Sequence, residues 1–342
     1  MSEPEIRHDV TIDCLTIIAP HRAMRPKKMA ETSCPFCPGN EDKTPPASLI
    51  YSRIGSEIVK LADSEHERVR SWLVRCFPNM FPALREDVPF EEKCSEALFF
   101  AMKAYRGFGY HEIIVESPDH RAHPPNSTLR QMELVMEAYF EVVTRLSYER
   151  NVRYVCLFRN YKSEAGASIS HPHSQVIALP LVPPTIKRKI SASRRYNRER
   201  GGCMYCDLIE LEAGSPRLIY ADDYYVALAP WASAYPYEFW IIPRRHEPSF
   251  INTYPKERRN LAKVLKATLT ALKRILNDPP YNLSFDVAPP RWRGESYHWH
   301  VEVHPRLTTL GGFELATGAY INIVQPEKAA EEFRLELEKI GY

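Results

Sequence analysis

The sequence predicts an α+β protein in which one unit, an antiparallel sheet with flanking helices, occurs twice by internal duplication. Three observations carry this. Two C-x2-C pairs, Cys34/Cys37 and Cys203/Cys206, each precede a run that reads strand, helix, strand, strand. Each run sets a histidine just past its first strand and an H-x-H at its last. The intervals nearly match: 51 residues separate His120 from His171, and 52 separate His246 from His298. A chain of 342 residues has room for two cores, since single cores rarely grow past about 250–300 residues. The expected domains are 1–190 and 191–342.

In the first unit, residues 110–116 read as a strand that ends in Ser117-Pro118-Asp119-His120. Thr128 with Gln131 is a capping-box signature, and it opens a helix whose apolar stripe runs Leu129, Met132, Val135, Met136, Tyr139, Phe140, Val143 and Leu146. Residues 153–159 give the next strand. The last begins at His171-Pro172-His173-Ser174-Gln175, with Ser168 upstream and an apolar run over 176–179 downstream. Alternate residues of a strand share a face, so His171, His173 and Gln175 are expected to point into one site.

The second unit repeats the order. Residues 237–242 read as a strand followed by Pro243-Arg244-Arg245-His246, and the helix carries Leu261, Val264, Leu265, Leu269, Leu272, Ile275 and Leu276. Strands over 281–287 and 297–304 complete it. Residues 187–195, polar and basic, read as a solvated linker between the units.

The repeated Cys and His positions propose two metal sites of one design. Cys34, Cys37, His120 and His171 would form the first, and Cys203, Cys206, His246 and His298 the second. Two thiolates and two imidazoles close a tetrahedral zinc shell with no position left for substrate, so both would be structural. A C-x2-C pair also suits a redox dithiol; the repetition with histidines favours metal. Cys14, Cys76, Cys94 and Cys156 are scattered and carry no pattern. A formal charge of +2 gives no general field for nucleic acid or an anionic membrane. No apolar run approaches the roughly 20 residues of a membrane span, and the start lacks a signal-peptide pattern, so the cytosol is expected.

In order along the chain, several motifs resemble the galactose-1-phosphate uridylyltransferases, the nucleotidyltransferase branch of the histidine-triad superfamily. They are Ala19-Pro20-His21-Arg22-Ala23-Met24-Arg25-Pro26, Cys34-Pro35-Phe36-Cys37-Pro38-Gly39-Asn40-Glu41, Asn79-Met80-Phe81-Pro82-Ala83-Leu84, Ser117-Pro118-Asp119-His120, Gly166-Ala167-Ser168 and the His-Pro-His-x-Gln strand. The resemblance implies two histidine-triad-like domains and a homodimer with shared sites. It also implies a double displacement in which His173 takes a uridylyl group from UDP-glucose and passes it to galactose 1-phosphate. Gln175 and Ser168 would donate to the α-phosphate. Arg22 and Arg25 would contact phosphates, Asn79 and Asn160 nucleotide and phosphates, Phe81 would pack near the base, and Phe313 and Glu314 would hold the hexose.

The chain also departs from the family pattern. Bacterial members carry an iron site in the second half, where this sequence has Lys189 and the Ser284-Phe285-Asp286 strand; the second C-x2-C with His246 and His298 replaces it, an arrangement shared with plant ADP-glucose phosphorylases. Tyr320 stands about where those bacterial members place a hexose-contacting Gln. Adenylyl transfer from ADP-glucose by the same chemistry, and a non-catalytic zinc module that binds nucleotides, are the competing readings. His300, the counterpart of His173, is expected to be structural, because Glu302 stands on its face where a neutral amide is wanted and a carboxylate repels phosphate.

Overall fold

The computed structural model describes residues 3–9, 11–24, 34–93, 103–294 and 296–342. First-half strands are β1 (Glu5–Asp9), β2 (Cys14–Ile18), β3 (Leu49–Ile54), β4 (Glu57–Leu61), β5 (Val74–Pro78), β6 (Glu92–Lys93), β7 (Lys103–Arg106), β8 (Tyr110–Val115), β9 (Tyr154–Tyr161) and β10 (His173–Leu179); helix α1 (Leu129–Tyr148) joins β8 to β9. Then come helices α2 (Pro184–Arg200) and α3 (Met204–Glu212) and strands β11 (Leu218–Ala221), β12 (Tyr225–Leu228) and β13 (Phe239–Pro243). Helix α4 (Pro255–Ile275), strands β14 (Tyr281–Asp286) and β15 (His300–Pro305), and helices α5 (Gly312–Thr317) and α6 (Pro326–Lys339) complete the chain.

Strands and helices alternate as the sequence predicts, but the halves do not keep separate sheets. One antiparallel sheet of 11 strands runs β11-β12-β13-β15-β14-β9-β10-β8-β5-β3-β4, and a four-stranded sheet, β2-β1-β7-β6, stands beside it. The expectation of one sheet per half is therefore corrected. β14 and β9 join the halves through the pairs Tyr281↔Tyr161, Asn282↔Asn160, Leu283↔Arg159 and Ser284↔Phe158. Each would otherwise be an edge strand with open backbone donors and acceptors, and their pairing removes both edges. The order β8-β10-β9 on one side is mirrored by β13-β15-β14 on the other.

Residues 187–195 are a second correction, since they lie inside α2 rather than in a linker. Ile186, Ile190 and Ser193 are buried on one face, so the basic residues fall on a helix that still packs. The division at 190/191 falls within this helix.

Strand alternation sorts the side chains. Val176 and Ala178 of β10 point to the face covered by α1 and α4, where they join Ile114, Met136, Tyr139 and Leu265 in the main core. His173 and Gln175 point to the opposite face, beside a smaller cluster of Phe36, Ile50, Trp72, Phe77, Ile113 and Val115. The second half has its counterpart in Tyr205, Ile209, Val226, Leu228 and Ile242. The expected cap of α1 forms by half: Thr128 Oγ1 accepts from Gln131 N at 3.1 Å, while the Gln131 amide donates to the carbonyls of Leu73 at 2.8 Å and Glu116 at 2.7 Å. This ties α1 to the loop ends of β5 and β8. Among the described residues no helix is long and apolar enough to cross a membrane.

Candidate functional site

β10 begins at His173, not at His171. The strand starts one residue after Pro172, as β15 starts after Trp299, and in both halves the histidine before the strand joins a Cys/His cluster while the next one does not. The expectation that both point into one site is corrected. His171 turns to Cys34, Cys37 and His120, whose ligating atoms with its own all lie within 4.8 Å of one another. His173 turns to an open cleft of about 210 Å³ lined also by Phe36, Phe77, Asn79, Phe81, Ser168 and Gln175.

The first Cys/His cluster is aligned for a cation. Cys37 Sγ lies 3.3 Å from His120 Nδ1 and 3.6 Å from His171 Nδ1, the two Nδ1 atoms are 3.3 Å apart, and Cys34 Sγ is 3.8 Å from His171 Nδ1. His171 Nε2–H donates to the Ser117 carbonyl at 2.7 Å, so the inward Nδ1 carries the lone pair. His120 Nε2 lies 2.8 Å from Ser170 Oγ, a hydroxyl that can accept a hydrogen from it. Burial pushes the His171 imidazole down to about 4, against the pull of the Ser117 carbonyl, which keeps the ring neutral. Outer partners of this kind orient metal-binding histidines.

Cys203, Cys206, His246 and His298 form the second cluster within the same limit. Cys206 Sγ is 3.4 Å from His246 Nδ1 and 3.5 Å from His298 Nδ1, and Cys203 Sγ is 3.9 Å from His298 Nδ1. The histidine rings meet edge to face in both, with centroids 5.0 Å apart at 81° in the first and 5.0 Å at 76° in the second. Each cluster could hold one metal ion.

His173 Nδ1 donates to the His171 carbonyl at 2.8 Å, which leaves Nε2 as the unprotonated nitrogen. Phe36, set between the two cysteines of the first pair, meets the His173 ring edge to face at 5.3 Å. The strand is anchored from behind. Ser174 Oγ, Tyr139 OH and Arg159 Nε converge on the buried Glu116 carboxylate at 2.6, 2.7 and 3.1–3.2 Å. Ser168 follows a short turn closed by Gly166 at φ 90°, and Asn282 of the second half clamps that loop by donating to Ala165 O at 2.8 Å and to Asn160 Oδ1 at 2.9 Å.

The other expected residues divide. Asn79 and Phe81 line the cleft with His173. Asn160 lies beyond the lining and is engaged by Asn282. Arg22 donates Nη1 to the Phe81 carbonyl at 2.5 Å, so it braces the cleft wall. Arg25 lies outside the described residues. Phe313 and Glu314 sit on the exposed α5, not in the lining of this cleft. Sequence reasoning passed over Phe36, Lys43 and His111. Lys43 lines the cleft, and His111 touches Gln175. His111 had a visible signal, a polar residue on the β8 face otherwise occupied by Ile113 and Val115.

His300 shows the opposite environment. Its Nδ1 faces the His298 carbonyl at 3.2 Å, but its Nε2 is 3.2 Å from Glu302 Oε1, and Lys189 Nζ donates to that same oxygen at 2.7 Å and to Asp286. Tyr205 and Trp240 cover the ring at 4.7 and 5.3 Å, and it is fully buried. Asp286, His300 and Glu302 also form a ligand-like group, but the Lys189 ammonium already bonds both carboxylates.

Family models match in two places. The galactose-1-phosphate uridyl transferase N-terminal domain matches residues 65–183, and a domain of unknown function (DUF4921) matches 127–341. The chain is 31% identical to an ADP-glucose phosphorylase of Arabidopsis thaliana, over 97% of its own length and 92% of the relative's. It is 30% identical to a galactose-1-phosphate uridylyltransferase of Thermotoga maritima, over 96% and 98%. A solved uridylyltransferase structure superposes with a TM-score of 0.82 at 28% identity, covering 98% of this chain and 99% of that one.

Proposed function

Because the chain belongs to the galactose-1-phosphate uridylyltransferase family of the histidine-triad superfamily, we propose that it exchanges UMP between UDP-glucose and a hexose 1-phosphate, galactose 1-phosphate foremost. The observation that carries the mechanism is the tautomer of His173, whose Nδ1–H is held by the His171 carbonyl while Nε2 faces the cleft.

Nε2 attacks the α-phosphorus of UDP-glucose in line with the bridging oxygen. The N–P bond forms as the P–O bond to glucose 1-phosphate breaks, and the leaving phosphate carries away the electron pair without a strong general acid. A phosphate oxygen of galactose 1-phosphate then attacks the uridylyl-imidazole and releases His173. Gln175 and Ser168 supply donors to the non-bridging oxygens as charge moves onto them. Phe36, Phe77, Ile113 and Met80 give the cleft an apolar wall against which the base packs. Asn79 and Phe81 lie on the same rim.

Zinc fits both Cys/His clusters. A tetrahedron's edge is about 1.6 times its centre-to-vertex distance, so Zn–N near 2.0–2.1 Å and Zn–S near 2.3 Å call for N–N edges of about 3.3 Å and S–N edges of about 3.6 Å. The distances in the two clusters fall around these values. Bound there, zinc would fix the loops that carry His120, His171, His246 and His298. Mirrored strand order and matched ring geometry support an origin of the two halves by duplication of one histidine-triad-like unit. The apolar residues exposed along 313–323, with Phe313 at 52%, Leu315 at 74% and Ile323 at 76%, support a homodimer in which Phe313 and Glu314 reach the partner's cleft.

The test is a comparison of donors. UDP-glucose with galactose 1-phosphate should release glucose 1-phosphate and form UDP-galactose. Activity confined to ADP-glucose would transfer the same chemistry to adenylate, the reading that the Arabidopsis relative favours.

A further inference from the structure

His111 on β8 is 4% exposed and lies on the face of the sheet that carries His173 and Gln175. Its Nδ1 stands 2.9 Å from the backbone nitrogen of Ala83 and 3.3 Å from Arg22 Nη1. A backbone amide and a guanidinium can only donate, so Nδ1 is the acceptor nitrogen and the neutral ring carries its proton on Nε2. That N–H meets Gln175 Oε1 at 2.9 Å. Asn79 also approaches Nε2, but with Nδ2, at 3.1 Å, because its own oxygen accepts from Phe81 N at 2.8 Å. Asn79 is therefore no acceptor for the Nε2 proton, which Gln175 Oε1 takes.

The consequence falls on Gln175. A side-chain amide has one oxygen and one nitrogen, and when the oxygen is held from behind the NH2 group faces the other way. For Gln175 that direction is the cleft it lines with His173. We propose that His111 is a positioning residue for transfer: it fixes the orientation of the Gln175 amide so that donors, and not an oxygen, meet the phosphoryl group that His173 receives. An amide released from this contact would turn its oxygen to the phosphate in part of the molecules, and repulsion would replace a donor where charge develops. This inference rests on the transferase reading above.

Two substitutions separate positioning from mere packing. In His111→Asn, Oδ1 can still accept from Ala83 N, but nothing reaches Gln175. In His111→Gln, the longer amide returns an N–H near the place of Nε2. Steady-state exchange of UDP-glucose with galactose 1-phosphate should show kcat lowered about 30-fold in His111→Asn, KM for UDP-glucose changed less than about threefold, and kcat within about fivefold of wild type in His111→Gln. In a Gln175→Ala background, His111→Asn should add no further loss, because the group it positions is gone. Equal losses in the two His111 variants, or a full additional loss in the Gln175→Ala background, would reduce His111 to a packing residue. A wild-type protein that exchanges nothing overturns the transferase reading and this inference with it, whereas an active wild type with additive variants overturns the role of His111 alone.

Discussion

The two halves of this molecule set a histidine at the first position of corresponding strands, His173 on β10 and His300 on β15, and give it opposite surroundings. His173 and His300 each follow a histidine of a Cys/His cluster by two residues, and each turns Nδ1 to that residue's carbonyl, at 2.8 Å and 3.2 Å. Beyond that the surroundings diverge. Nε2 of His173 faces a cleft lined by Gln175 and Ser168, whereas Nε2 of His300 meets a carboxylate that Lys189 also holds, beneath Tyr205 and Trp240. A scaffold that positions an imidazole is thus not yet a site. The cleft and the neutral groups beside Nε2 of His173 make the difference.

Substitutions can break or sharpen this contrast. The largest effect is expected for His173→Gly, which should lower transfer more than about 10⁴-fold. His300→Gln should keep the protein able to take a uridylyl group, though it unfolds more easily. Next come the metal clusters: Cys37→Ser and Cys206→Ser should each remove one of two zincs per chain by elemental analysis and shift the denaturation midpoint downward. Only Cys37→Ser should also cut transfer, by more than about tenfold, since the His171 loop orients His173. Gln175→Ala should lower kcat by about 10²-fold, and Glu302→Gln should leave kcat unchanged.

The smallest effect is electrostatic. Burial opposes ionisation of Glu302, but hydrogen bonds from His300 and His304 and the nearby Lys189 ammonium hold its carboxyl well below the usual carboxylate range. Its pairing therefore stabilises the fold fully above about pH 4.5 and fades as the pH falls through the depressed folded value. Burial likewise opposes the charge on Lys189, while Asp286 and Glu302 raise it above its ordinary 10.5, so its contribution is lost only as the pH rises past that range. Lys189→Met should cost about 2 kcal/mol at pH 7, discounted because a quarter of the side chain is exposed, and less below pH 4.5, by urea denaturation.

Much of this was legible in the sequence because it is written in spacing. The recurrence of C-x2-C, His and H-x-H located both clusters, and the change from helical to strand periodicity placed α1, α4 and the strands around them. What the sequence hid depends on long-range pairing. Nothing local in Tyr154–Tyr161 or Tyr281–Asp286 says that these strands will join the halves. The basic stretch at 187–195 looked like a linker because the apolar residues that bury this helix, Ile186 just before the stretch and Ile190 within it, lie one helical turn apart and are outnumbered by charge. The roles of Phe36 and His111 depend on contacts with residues far along the chain, His173 and Gln175. The different surroundings of His171 and His173 were legible only by comparison with the second half, where His298 joins a Cys/His cluster and His300 does not.

The central claim is that one histidine of the pair carries the nucleotide. Incubation with UDP-glucose and no acceptor, followed by peptide mass mapping under conditions that preserve the N–P bond, tests it directly. The account predicts one uridylyl group per chain on the peptide that contains His173. A uridylyl group on the His300 peptide, or turnover with no protein-bound nucleotide, would contradict it.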